Sequence, residues 1–442
     1  MEPESAHAER SDPPPEGHAG RRKQRGKLAS LFSLQVAHEL PSALTATMAP
    51  TLFVKELGLP LAYLGVFFLP FIVTALKWVW APVVDNHGSR SFGRRRSWLL
   101  PLTGLVALSY FAIGAVEPSL DTLTLIIGLL MVKQIFFATQ EIAADAYVVE
   151  NLSAAERGSG ASVVWVGKEF GQIIGFAGLL YVADNFGWQT AFLCAGLLFI
   201  LFNLPVLVRP ERPVIVASDR RPRADIRAFF RQSVNLRIAW LVFTMSFCVQ
   251  MPVAIIGPFL GEKGFTLSQI GVILGVSASI GAIISLSIAS IVINRLGAKR
   301  TAMALLFVAP LASPGFFWLA TQDSATLTVV VLIILWATLC TAPLRMVLYA
   351  ARIGWTSKHQ VGTDITTQQS FWFLGYAASA LCAGVIASTL GWVGFFALNV
   401  ALTFASVVHF IRAHDDIESR VQALYGTDDA SPHTPPVSTA ID

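Results

Sequence analysis

Gln35, His38, Glu39 and Ser42 recur at i, i+3, i+4 and i+7, so on a helix they share one face. The surrounding run, residues 28–54, is otherwise largely apolar. A carboxylate beside an amide, an imidazole and a hydroxyl can hold a polar ligand or carry a proton. The same face can equally make a hydrogen-bonded contact between helices, with His38 as a packing residue. At 1.5 Å per residue, Glu39 lies roughly 16 Å into its run, where an isolated charge is costly and tends to mark a substrate or proton pathway.

Three further runs carry charge at similar depth. In residues 122–148, Gln134, Glu141 and Asp145 form one stripe, with Lys133 and Gln140 beside it. Asp145 stands near the end of the run and is read first as half of a latch with Arg94 or Arg95, and second as a ligand contact. Glu141, one turn deeper, suits either role. Residues 159–183 carry Lys168 and Glu169, with Trp165 and Gln172 on the same face. Neighbouring positions point about 100° apart on a helix, so Lys168 is expected to answer a carboxylate on another helix, Glu39 or Glu141. In residues 326–350, Thr338, Thr341, Arg345 and Tyr349 line one face, and Arg345 reads as the embedded cation of the second half. Lys77, close to the end of its run, is expected to snorkel to the headgroups.

The elements that must position these residues follow from composition. The chain has 442 residues, 54% hydrophobic and 14% charged, with a mean hydropathy of +0.61. Soluble domains carry about 25% charged residues, so lipid is the solvent for most of this chain. About 20 apolar residues cross the hydrocarbon as a helix. Runs of that kind lie at 28–54, 60–83, 98–116, 122–148, 159–183 and 188–208, and again at 237–260, 267–293, 301–320, 326–350, 366–388 and 391–412. These are spans one to twelve. They predict an all-α membrane protein of twelve transmembrane helices in two pseudo-symmetric six-helix bundles, 28–208 and 237–412. A connector occupies 209–236, and residues 1–27 and 413–442 read as disordered polar tails.

Lysine and arginine set the orientation. With the N-terminus in the cytoplasm, the outer loops hold only Lys55 and Lys263, and nearly all other unembedded basic residues fall inside. Both termini are then cytoplasmic. Basic clusters abutting spans favour this topological reading over nucleic-acid binding. The halves also repeat. An offset of 204 residues places Gly158 on Gly362, Gly171 on Gly375, Gly187 on Gly391 and Trp188 on Trp392. Internal repeats are common in secondary transporters, with the substrate between the halves.

At the end of span two stands Trp80-Ala81-Pro82-Val83-Val84-Asp85, followed by Phe92-Gly93-Arg94-Arg95-Arg96-Ser97-Trp98. This resembles the Asp-to-Gly-Arg-Arg loop motif of the major facilitator superfamily. Together with Thr139-Gln140-Glu141-Ile142-Ala143-Ala144-Asp145-Ala146 and Glu156-Arg157-Gly158, it is similar to the muropeptide-permease branch (AmpG-like) and its siderophore-permease relatives. Gly362-Thr363-Asp364-Ile365-Thr366-Thr367-Gln368 resembles the siderophore permeases of the RhtX/FptX type more closely. The likeness runs over about residues 30–410. It departs at Glu141, where the relatives usually carry Asp. The resemblance implies a cytoplasmic gate of Asp85, Arg94, Arg95 and Asp145, and a cavity that also includes Gln368 and Trp372.

Other chemistries lack their motifs. Gly160 to Lys168 has the wrong spacing for a phosphate-binding loop, and neither HExxH nor GxSxG occurs. All four cysteines (Cys194, Cys248, Cys340, Cys382) lie in apolar runs without CxxC spacing and read as packing residues. No metal or other cofactor is expected. The sequence therefore favours a monomeric secondary transporter in a bacterial inner membrane, not an enzyme or receptor. A siderophore is the expected cargo and a muropeptide the alternative, with protons as the coupling ion. Reporter fusions test the orientation: a fusion at Asn151 is expected to report inside and one at Asp323 outside. The reverse result at either site would invert the assignment.

Overall fold

A computed structural model describes residues 18–40, 42–89, 93–151, 157–208, 226–355 and 361–425. Among these residues all regular structure is helical. Among the described residues nine stretches are long and apolar enough to cross a membrane. Two of them, Val166–Val206 and Asp364–Leu424, each contain two spans. Their breaks fall at Gly187 (φ 82°, ψ 178°) and Gly391 (φ 67°, ψ 173°). Glycine takes this left-handed φ at no steric cost, so the chain reverses there without a longer loop. Span one, built from His18–Glu39, Leu44–Met48 and Ala49–Lys55, completes twelve. The chain is an all-α membrane protein of two six-helix bundles.

The repeat in the sequence is a repeat in packing. Trp188 packs at a tilt against Phe192 and meets Phe53 edge-on, while Trp392 meets Phe396 and Phe259. Gly171 lets span five press on Val36 and Glu39 of span one, and Gly375 lets span eleven press on Phe243 and Ser246 of span seven. In the first half this contact extends over three turns. Gly167, Gly171 and Gly175 lie against the carbonyls of Phe32, Val36 and Leu40. Small residues four apart let membrane helices touch backbone to backbone.

The two ends of the molecule differ. At the end away from the connector, the halves are sealed against one another. Gly257 and Gly261 of span seven sit on Thr47 and Thr51, Gly271 and Gly275 of span eight on Phe176, and Gly384 of span eleven on Leu61. Lys55 Nζ donates across the seam to the Phe265 carbonyl at 3.2 Å. Three π-helical turns lie on this side, at Leu44–Met48, Ile174–Leu179 and Val272–Ser277, and the last two are in contact. At the other end a short connector helix, Ile226–Arg231, sets Phe230 near Trp78 of the first half and Phe371 of the second.

Two expectations about the tails are corrected. The first helix begins at His18, because Arg, Lys, Gln and Ala are good helix formers that propagate from the span behind them. The last helix continues to Tyr425. There Ile417 and Val421 bury an apolar face, and Asp415 and Asp416 pair with Lys299 and Arg237 of neighbouring spans. The rest of both tails, and residues 209–225 of the connector, lie outside the described residues.

The span one–span five contact makes a measurable demand. A Cβ at Gly171 would stand 2.7 Å from the Val36 carbonyl oxygen, whereas one at Gly178 would meet nothing nearer than Ile174 at 3.9 Å. Gly171→Ala is therefore expected to destabilise the protein by about 1–3 kcal/mol, the usual range for overpacking, and Gly178→Ala to leave it unchanged. Thermal unfolding in detergent checks the difference.

Candidate functional site

Between the halves lies a cavity of about 2420 Å³. Its deep end is formed by Ala46, Thr47, Phe176, Ile256 and Phe396, and its lining continues to Arg95, Asp145 and Arg352 near the connector end. Both bundles contribute, and the sealed seam closes the opposite side.

Of the residues singled out in the sequence, Gln35, Glu39, Glu141, Lys168, Glu169, Gln172, Arg345 and Trp372 line this cavity. Lys168 Nζ stands 3.5 Å from Glu39 Oε1, so Lys168 answers span one as expected. Both partners reach solvent space in the cavity, at 36% and 26% side-chain exposure. Glu141 is answered instead by Lys77, at 2.8 Å. Lys77 is thus an inward-facing partner, not a snorkelling residue, and only 5% of its side chain is exposed. The cause lies in span two, which is divided into Leu61–Phe68, Pro70–Ala75, Lys77–Val79 and Ala81–Asn86. Tighter 3₁₀ turns and prolines change both rise and rotation there, and Lys77 swings onto the face towards span four.

Four of the expected residues do not line the cavity. His38 turns from the polar stripe and packs edge-on against Phe137, its Nε2 buried and unbonded. Lys133 points into the first bundle, donates to Gln134 Oε1 at 2.7 Å and faces the rings of Tyr110 and Phe137. Gln134 in turn donates to Thr74 Oγ1 at 2.6 Å. Among the described residues the Lys133 amine thus meets two ring faces and an amide oxygen, and no carboxylate. Gln368 is buried and accepts from Arg352 Nε at 3.2 Å. The side chain of Trp165 lies outside the described residues.

Arg352 went unnoticed in the sequence, where it sits at the end of span ten and reads as a headgroup residue. It is buried, lines the cavity, and donates to Gln368, Gln369 and the Ile365 carbonyl. The second half thus has two embedded cations. Neutral amides at i+16 and i+17 were the only signal available.

Asp145 is not paired with Arg94 or Arg95 among the described residues. Asp145 lines the cavity, exposed, and makes no ion pair among the described residues. Arg95 is buried and reaches the Val84 carbonyl at 3.5 Å, and Arg94 does not line the cavity. The Asp85 side chain lies outside the described residues.

Comparison with known proteins places this geometry. The model of the Major Facilitator Superfamily matches residues 31–344. The anhydromuropeptide permease of Escherichia coli (strain K12) is 25% identical over 401 residues, covering 89% of this chain and 81% of that protein. A putative transporter, AmpG 4, of Rickettsia conorii is 24% identical over 415 residues, covering 86% of this chain and 95% of that one. Among solved structures, a bacterial homologue of the human lysosomal transporter Spinster, inward-facing and unoccupied, is similar with a TM-score of 0.62 at 14% identity. That match covers 93% of this chain and 99% of the other.

The Lys77–Glu141 pair is the most enclosed ion pair in the site, and breaking one side strands a buried charge. Glu141→Leu alone is expected to destabilise by roughly 3–5 kcal/mol, and the double variant Lys77→Met, Glu141→Leu by much less. A double-mutant cycle on melting in detergent measures it; equal losses in both variants would show that the two side chains do not act as a pair.

Proposed function

The chain belongs to the Major Facilitator Superfamily, and we propose that within it the protein imports anhydromuropeptides, peptide-bearing fragments of the cell wall. It is a multi-pass membrane transporter of a small molecule. What carries the cargo reading is the likeness to the Escherichia coli anhydromuropeptide permease, which extends over 401 residues and so includes both halves. The cavity suits such a molecule in size and charge. At about 2420 Å³ it exceeds the roughly 300–1,000 Å³ of ordinary ligand pockets. Its lining mixes cations (Lys168, Arg345) with carboxylates (Glu39, Glu169), as a ligand with both ammonium and acid groups requires.

The siderophore expected from the Gly362–Gln368 segment is set aside. Ile365, Thr366 and Thr367 of that segment do line the cavity, but the Escherichia coli relative that matches both halves is named for anhydromuropeptides.

In this reading the connector, the Gly93–Arg96 turn and both termini face the cytoplasm of a bacterial inner membrane, and the cavity opens inward. The halves 28–208 and 237–412 rock about it as a monomer. Asp145 with Arg94 or Arg95 closes the inner side when the cavity opens outward. The Glu39–Lys168 pair carries the coupling proton. It is exposed enough to exchange with cavity water, and Lys168 can release Glu39 when a substrate acid competes for it.

Proteoliposomes test this. Uptake of a radiolabelled anhydromuropeptide driven by an inward-directed proton gradient is expected, with competition by unlabelled anhydromuropeptide but not by a ferric siderophore. Competition by the siderophore alone would overturn the cargo. Glu39→Gln is expected to abolish accumulation against a gradient while sparing exchange. Retained, uncoupler-sensitive accumulation would move the proton site elsewhere.

A further inference from the structure

Lys168 and Glu169 are adjacent in sequence but serve different surfaces. Lys168 turns to Glu39 within its own bundle. Glu169 lies on the other side of span five, facing the second bundle, and the charge acting on it most strongly is that of Arg345. The converse also holds: Glu169 is the first charge acting on Arg345.

These two charges attract across the cavity but do not meet. Among the described residues neither makes an ion pair. Glu169 is 6% exposed, lines the cavity, and has Oε2 buried without a hydrogen-bond partner. Among the described residues the donor near this carboxylate is neutral, the Ser279 hydroxyl of span eight. Arg345, on span ten, also lines the cavity and makes no hydrogen bond among the described residues.

A buried carboxylate without a cationic partner is expensive to keep. In the same cavity Glu39 and Glu141 both have lysine partners. Glu169 has none, and the opposite charge that acts on it most strongly is a guanidinium supplied by the other half, lining the same cavity. A metal ion or simple cation in that space would be repelled by Arg345, and a dianion by Glu169. A molecule with one pole of each sign satisfies both.

We propose that Glu169 and Arg345 form a two-pole clamp for a zwitterionic peptide, Glu169 binding its ammonium group and Arg345 its carboxylate. This rests on the transport reading above and refines it: the peptide part of the cargo, not its sugar, spans the two halves. Guanidinium takes a carboxylate through two parallel hydrogen bonds, and the carboxylate accepts from ammonium in the same charge-assisted way. Because the poles belong to different bundles, a ligand held at both ties their positions together. Glu169 is then a recognition residue, distinct from the coupling acid Glu39.

The test is a binding matrix on the purified full-length protein in lipid nanodiscs, by calorimetry. Ligands are an anhydromuropeptide, its N-acetylated form, its carboxyl-amidated form, and a free zwitterionic tripeptide. The wild type is expected to lose roughly 10- to 100-fold in affinity with either blocked form. Glu169→Gln should bind free and N-acetylated ligand equally while still rejecting the amidated one. Arg345→Met should show the opposite pattern, and Glu169→Asp should restore discrimination. Melting curves for each variant confirm folding. Wild-type binding of all three muropeptide forms within twofold would overturn the clamp and leave the cargo assignment standing, as would uniform losses in both variants, the result of a merely structural attraction. Discriminating tripeptide binding without muropeptide binding would keep the clamp and overturn the cargo, and binding of neither would overturn both.

Discussion

The site depends on the backbone contact between spans one and five. Gly167, Gly171 and Gly175 remove three side chains in successive turns, and the carbonyls of Phe32, Val36 and Leu40 occupy that room. Only with the axes so close does Lys168 come within 3.5 Å of Glu39. In hydrocarbon each of these charges alone would be costly, so the glycines allow a charged pair to exist at this depth. The pair in turn uses up Lys168 and leaves its neighbour Glu169 to face the other bundle.

The second half repeats the frame and not the chemistry. Gly375 brings span eleven onto span seven as Gly171 brings span five onto span one. Yet Ser246 stands where Glu39 does, and Trp372 follows the offset from Lys168, so a hydroxyl-to-carbonyl bond of 2.6 Å replaces the ion pair. The offset of 204 carries Glu169 to Phe373 and Glu141 to Arg345. Packing is therefore symmetric, whereas charge is concentrated in spans one, two, four and five of one bundle and span ten of the other. A duplicated scaffold constrains where backbones meet, and leaves the side chains facing the cavity free to diverge.

Spans, bundles and the i, i+4, i+7 members of the span-one stripe were legible because lipid imposes one strong pattern on sequence. Gln35, Glu39 and Ser42 all line the cavity. His38, one position off that set, shows the limit: a stripe has a width, and its edge can turn into the bundle. Periodicity orients a residue on its own helix without saying which neighbour lies opposite. Lys133 and Lys168 were alike in sequence, and only packing puts one beside aromatic rings and the other beside a carboxylate. Lys77 and Arg352 were misjudged from their nearness to span ends, since depth counted along an ideal helix fails in the broken span two and ignores the glutamines that reach back to span ten.

The π turn at Leu44–Met48 leaves a trace in the bookkeeping of the repeat. Before it, span one matches span seven at an offset of 207, Val36 with Phe243 through Gly171 and Gly375. After it the offset is 206, Phe53 with Phe259 through Trp188 and Trp392. Span seven runs as one helix over the same stretch, Ser233–Glu262. Span one thus holds one amino acid more between two anchored contacts, and the wider turn absorbs it without displacing either. At the level of the gene the two halves differ there by one codon, and any alignment of them that forbids a gap will slip out of register for everything that follows.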